Sequence, residues 1–258
     1  MLCREIANII ERTYPKDAAL EWDNVGLLIG RAEKEVRKIY VALDVTEDVI
    51  REAVLFGADM LVTHHPLIFS SMKKITDEDF IGRRVVALLQ QDISCYAMHT
   101  NYDVLGMADL SGNRLGLADM EVLKLTDMQR GEGIGRVGEL EKEMTLEECC
   151  VLVKQRFHLP AVKVFGEKNQ LVRRVAISPG SGKGMTETAL KKKAKVLITG
   201  DIGHHEGIDA LAQGLAIIDA GHYGLEHIFI EDMVKYLEKQ TTGIQVKGAD
   251  MVYPFEIM

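Results

Sequence analysis

Three absences bound the 258-residue chain before any motif is considered. Its four cysteines, Cys3, Cys95, Cys149 and Cys150, show no CxxC spacing, which argues against a thiolate metal site. Cys149 and Cys150 are adjacent within a helical pattern, where a mutual disulfide would be strained. Reduced thiols in a reducing compartment are expected. Long apolar runs are also missing, since nothing approaches the roughly 18 residues a membrane span needs. The opening MLCREIANIIERTYP mixes Arg4, Glu5, Glu11 and Arg12 among its apolar residues, so a cytoplasmic protein with no membrane partner is expected. Positive charge is scarce: 31 Lys and Arg stand against 39 Asp and Glu, a net charge of -8. No basic stripe is visible, and a nucleic-acid partner is not expected. What is present, 47% hydrophobic and 27% charged residues, suits an ordinary globular core in one large domain or two intimate halves.

Strands alternate with helices along the chain, which predicts an α/β architecture with wound, mixed sheets. Ile6, Ile9 and Ile10 mark a helix over residues 3–13, ended by Pro15. RKIYVALDV is a buried strand, after which Thr46, Glu47 and Asp48 start a helix that closes at Gly57. ADMLVTHH, a helix through GRRVVALLQQ and the strand ISCYAMHT follow. After the polar, glycine-bearing stretch TDMQRGEGIGRVGELEKEM, Thr145 and Glu148 form a capping box for another helix. Beyond it the first pattern recurs at an offset of 136 positions. Ile39, Val41, Ala53, Val54, Ala58, Leu61, Val62 and Thr63 fall on Val175, Ile177, Ala189, Leu190, Ala194, Leu197, Ile198 and Thr199. Two similar α/β lobes, 1–125 and 126–258, with a cleft between them are expected, or one intimate domain overall.

Seven of eight histidines lie in four clusters: THHP (His64, His65), HTNYD (His99), GDIGHHE (His204, His205) and DAGHYGLEH (His222, His227). Three clusters sit at the carboxyl end of an expected strand, where open α/β sheets bind ligands. Acids accompany them, namely Asp103, Asp201, Glu206 and Glu226. Imidazole with carboxylate and no thiolate suits Zn, Fe, Mn, Co or Ni. His222 and Glu226, four apart, would share one face of a helix, either as ligands or as a surface pair. Burying both His64 and His65 without a function costs desolvation, which favours metal or catalysis there. His158 reads as structural, and His227 as a cap or a solvent-facing residue, with metal ligation as the alternative. Gly180, Gly182 and Gly184 in ISPGSGKGM do not make a Walker loop; they form either a backbone nest for a phosphate or a plain strand-to-helix turn.

The segments EWDNVGLLIG, LVTHHPLIF, HTNYD, GDIGHHEGIDA and DAGHYGLE, in that order over nearly the whole chain, resemble the Nif-three-like proteins, also called GTP cyclohydrolase I type 2 homologs. The resemblance implies two α/β lobes with a metal-containing cleft, two divalent metal ions, a toroidal homohexamer, and the compact form without an inserted middle domain. By position, its ligands fall on His64, His65, Asp103, His222 and Glu226, with Asp103 and Glu226 as the natural bridges. His99, Asn101, His204 and His205 match positions near the metals, and His99 or His205 is a candidate for proton transfer. Asp23 and Asn24 either buttress the site or touch substrate. The implied activity is metal-dependent hydrolysis of a nucleotide such as GTP, by attack on the imidazole ring of its base. A two-metal phosphoesterase and a non-catalytic metal-binding scaffold are the alternatives.

Overall fold

The computed structural model describes residues 1–256 and 258. Among them, in chain order, are the strands β1 (Gly26–Ile29), β2 (Lys38–Ala42), β3 (Met60–Thr63), β4 (Ser94–Ala97), β5 (Ala118–Asp127), β6 (Glu132–Thr145), β7 (Lys163–Phe165), β8 (Leu171–Ser181), β9 (Val196–Gly200), β10 (Ala216–Asp219) and β11 (Gln245–Gly248). They build two mixed sheets. The chain divides into two compact units, Met1–Tyr102 with Phe229–Met251, and Asp103–Ile228 with the segment that starts at Val252. The division expected at 125/126 would fall inside β5. A contiguous split also misses β11, which pairs in parallel with β2 of the first unit.

The first unit's sheet runs β1-β4-β3-β2-β11. Its β2, β3 and β4 are parallel neighbours, and β1 is an antiparallel edge. Ile39, Val41, Leu61 and Val62 are fully buried in it, as β-branched and apolar runs should be when helices cover a parallel sheet. Thr46 accepts from the Val49 amide, and the helix Glu47–Phe56 ends at Gly57 with φ +75°, a conformation that suits glycine. The helix Phe80–Gln90 starts at Asp79, whose side chain accepts from the Gly82 amide.

The second unit's sheet runs β5-β6-β8-β9-β10-β7, with β8, β9 and β10 parallel and β7 an antiparallel edge. The internal repeat appears as equal register. Ile39 lies opposite Met60 and Val41 opposite Val62 in one sheet, and Val175 opposite Val196 and Ile177 opposite Ile198 in the other. Each of these positions differs from its counterpart by the 136 residues seen in the sequence. The polar stretch between the repeats is not a mere connection: it forms most of β6, antiparallel to both β5 and β8. Gly133, Gly135 and Gly138 belong to close strand contacts, since a Cβ on each would strike the backbone of Lys124, Ile177 and Ala118 respectively. No helix among the described residues is long and apolar enough to cross a membrane. All four cysteines are free, and burial pushes the thiols of Cys95 and Cys149 up to about 12, far from thiolate chemistry.

Candidate metal centre

In the first unit the site is built on the carboxyl ends of β2, β3 and β4. His64 and His65 directly follow β3, with their amides bonded to the carbonyls of Ala42 and Leu43. Successive residues of an extended chain diverge, and each imidazole finds its own acceptor. His64, fully buried, places Nδ1 2.7 Å from the Met98 carbonyl oxygen beyond β4. His65 places Nδ1 2.7 Å from Asp44 Oδ1 beyond β2. The two rings nevertheless lie side by side, their centroids 5.0 Å apart. His99 joins them at 5.5 and 5.7 Å, and its Nδ1 is 2.8 Å from Asp23 Oδ1.

Asp23 is the buttress of this half. Its side chain is fully buried and also accepts from the backbone amide and hydroxyl of Thr100. Burial alone would push its pKa up, but the bonds from His99 and Thr100 outweigh that and hold it at about 2. Asn24 donates to the Ile68 carbonyl, tying the WDN turn to the loop after His65. Asn101 is buried and donates to the Tyr14 carbonyl, a structural bond.

In the second unit the corresponding strand ends carry His222 and Glu226. The helix His222–Glu226 follows β10 and rests on the ends of β8 and β9. A Cβ on Gly200 would come within 2.5 Å of the His222 amide nitrogen, and one on Gly180, at φ +77°, within 2.5 Å of Glu226 Oε1. His222 Nε2 lies 3.1 Å from Glu226 Oε2, the side-by-side placement expected of residues four apart on a helix. Its Nδ1 lies 2.8 Å from Asp201 Oδ2. Burial would push the His222 pKa down, but Glu226 and Asp201 raise it to about 9. Asp201 occupies the repeat position of His65, in the left-handed region at φ +56°. Where one lobe places a histidine, the other places a carboxylate that orients one.

The remaining candidates separate clearly. Asp103 opens a π-helical turn, Asp103–Met107, a geometry that recurs at functional sites. His204 and His205 are exposed at the start of the helix His204–Ala212, with ring centroids 5.2 Å apart. His227 bonds the Phe157 carbonyl through Nε2, the opposite nitrogen from the site histidines. His158 is the left-handed cap of the helix Leu146–Phe157, as its structural assignment requires. Gly180 lies within β8 and Gly182 and Gly184 in the turn after it; the Gly182 amide is bonded to the Gly200 carbonyl, which favours a plain turn over a phosphate nest. The Gly184 amide is bonded to Glu206, and Gly180 is committed to the approach of Glu226.

His64, His65, His99 and His222 share one arrangement: Nδ1 faces a carbonyl or carboxylate oxygen, which can only accept. Nδ1 therefore carries the hydrogen in each, and Nε2 is the nitrogen each can present to an ion. That is the outer-shell pattern of metal-ligating histidine. The donor set of imidazoles and carboxylates without thiolate therefore fits a divalent transition metal.

The sequence model of Duf34/NIF3 (NGG1p interacting factor 3) matches residues 1–252. The chain belongs to the Duf34/NIF3 family. A curated Duf34/NIF3-like relative, the "GTP cyclohydrolase 1 type 2 homolog" of Clostridium perfringens, is 36% identical over all of both chains. The crystal structure of a Bacillus cereus protein related to NIF3 superposes with a TM-score of 0.94 at 26% identity, covering 100% of this chain and 99% of that one. Reduced HcgD from Methanocaldococcus jannaschii superposes with a TM-score of 0.83 at 30% identity, covering 97% and 98%. In this Duf34/NIF3 member, sequence reasoning missed Asp44, the Met98 carbonyl and the orienting role of Asp201. Asp44 had a readable signal, an acid just past a buried strand. A backbone carbonyl leaves none.

Proposed function

We propose that the protein is a metal-dependent hydrolase acting on a nucleotide such as GTP, with two divalent ions held by His64, His65, Asp103, His222 and Glu226. The core of that set is the candidate triad His64, His65 and Glu226. The observation that carries the proposal is the common anchoring of the site imidazoles through Nδ1. Membership of the Duf34/NIF3 family and the relatives' name support it. Asp103 and Glu226, as carboxylates, are suited to bridging. Bound divalent ions would supply Lewis acidity and a water acidified to near neutral pH.

The chain's own residues do the rest. Asp44 and Asp201 fix the planes of His65 and His222, and the buried Met98 carbonyl fixes His64. His99 is the proton carrier that the geometry favours, because Asp23 holds its Nδ1 hydrogen and leaves Nε2 to accept a proton and return it. His205, exposed on its helix, is the second candidate for that role. A toroidal homohexamer in the cytoplasm completes the proposal.

Protein purified without a histidine tag is to be analysed for metal, then incubated with GTP while base absorbance and phosphate are followed. Metal-dependent loss of the guanine absorbance supports the proposal. Phosphate release with an unchanged base supports a two-metal phosphoesterase. If metal-loaded protein leaves GTP and simple phosphoesters untouched, the hydrolase proposal fails and a non-catalytic metal-binding scaffold is favoured.

A further inference from the structure

The first unit holds two large aromatic side chains in the open beside its histidines. Trp22 is 57% exposed and Phe69 52% exposed, although apolar rings of this size gain most by burial. Their centroids are 5.7 Å apart at 50°. Both meet the His99 ring, Trp22 at 6.0 Å and 73°, Phe69 at 6.3 Å and 75°. The three ring pairs these side chains form here are thus tilted or edge-on.

These aromatics are exposed but not loose. The Asn24 side-chain Nδ2 donates to the Ile68 carbonyl, so the segment carrying Trp22 is clamped to the one carrying Phe69. Asp23, next to Trp22, is pinned by His99 and by Thr100. A buried hydrogen-bond network therefore fixes the backbone beneath an apolar surface.

We propose that Trp22 and Phe69 form a stacking platform for the planar heterocyclic ring of the ligand, with the remainder of the ligand directed to the histidines. A ring offers a π face to the indole and phenyl groups, a contact indifferent to which base is stacked. The platform's inner neighbour is the His99 imidazole, so an occupant with polar atoms at its rim suits it. That combination describes a nucleobase-like heterocycle better than an acyl chain. The inference rests on the hydrolase proposal for what the ligand is used for, and names the part of the ligand that the protein grips.

Trp22 is the only tryptophan in the chain, so fluorescence excited selectively in the indole band reports on the platform. Metal-free wild type is to be titrated with guanosine monophosphate, adenosine monophosphate and ribose 5-phosphate. Both ring-bearing ligands should quench the emission and ribose 5-phosphate should not. Phe69→Ala should bind guanosine monophosphate roughly tenfold or more weakly. By calorimetry Trp22→Ala should lose affinity similarly and Trp22→Phe should keep most of it, with unchanged circular dichroism throughout. Equal binding of the sugar phosphate, or no ring-dependent quenching, overturns the proposal. So does an emission typical of buried indole in the ligand-free protein, which would mean that another copy covers the ring. If the ring binds but the metal-loaded protein hydrolyses nothing, the hydrolase proposal fails and the platform stands. If GTP is turned over and Trp22→Ala leaves KM unchanged, the platform fails and the hydrolase stands.

Discussion

Replacing Asp23 with asparagine keeps the shape of the side chain and removes the charge on which His99 and Thr100 are hung. Oδ1 accepts from the Asn24 amide and His99 Nδ1, and Oδ2 from the Thr100 amide and hydroxyl. Asparagine has one accepting oxygen, so its NH2 group must face donors on the other side and leave them unsatisfied in a fully buried place. Holding an aspartate at about 2 instead of about 3.9 amounts to ~2.5 kcal/mol at neutral pH. The sign follows from the direction of the shift. A depressed carboxylate contributes stability above the unfolded pKa and loses it as pH falls through the folded one. Urea unfolding of wild type and Asp23→Asn should therefore differ by about 2 kcal/mol at pH 7, with the gap narrowing between about pH 4 and pH 2. A gap that is absent at pH 7, or unchanged across that range, would refute the assignment of Asp23 as the charged buttress of His99 and Thr100.

Other outcomes follow from the same contacts. Asp44→Ala removes the acceptor for His65 Nδ1 and should weaken metal binding roughly 10- to 100-fold in a chelator competition, with the fold intact by circular dichroism. Gly180→Ala places a methyl 2.5 Å from Glu226 Oε1 at a φ of +77°. It should cost about 2 kcal/mol and lower the melting temperature by roughly 5 °C. In metal-free protein His222 should titrate near 9 by NMR, because Glu226 and Asp201 outweigh its burial. Its stabilising contribution is complete below its unfolded pKa and disappears as pH rises through about 9, a dependence that His222→Gln should lack.

Much of the site could be read from the chain because its histidines follow short apolar runs whose strand character is unambiguous. Thr63 ends β3 and His64 begins the site; Asp219 ends β10 and His222 follows within three residues. Thr46, Gly57 and the Thr145–Glu148 box act locally and fell where caps were expected. The hairpin of β5 and β6 did not show itself, because its glycines and charges imitate a connection until the neighbouring strands are seen to approach too closely for side chains. β11 lies far along the chain from its partner β2, a pairing that no local pattern encodes. The π-helical turn at Asp103 and the carbonyl that anchors His64 are backbone properties, invisible to side-chain spacing.

Metal content tests the central claim most directly. Tag-free protein, loaded with a divalent transition metal and freed of excess, should retain about two ions per chain. His64→Ala, His222→Ala and Glu226→Gln, each confirmed folded, should retain less. Undiminished metal in those variants, or none in the wild type, would contradict the assignment of the site.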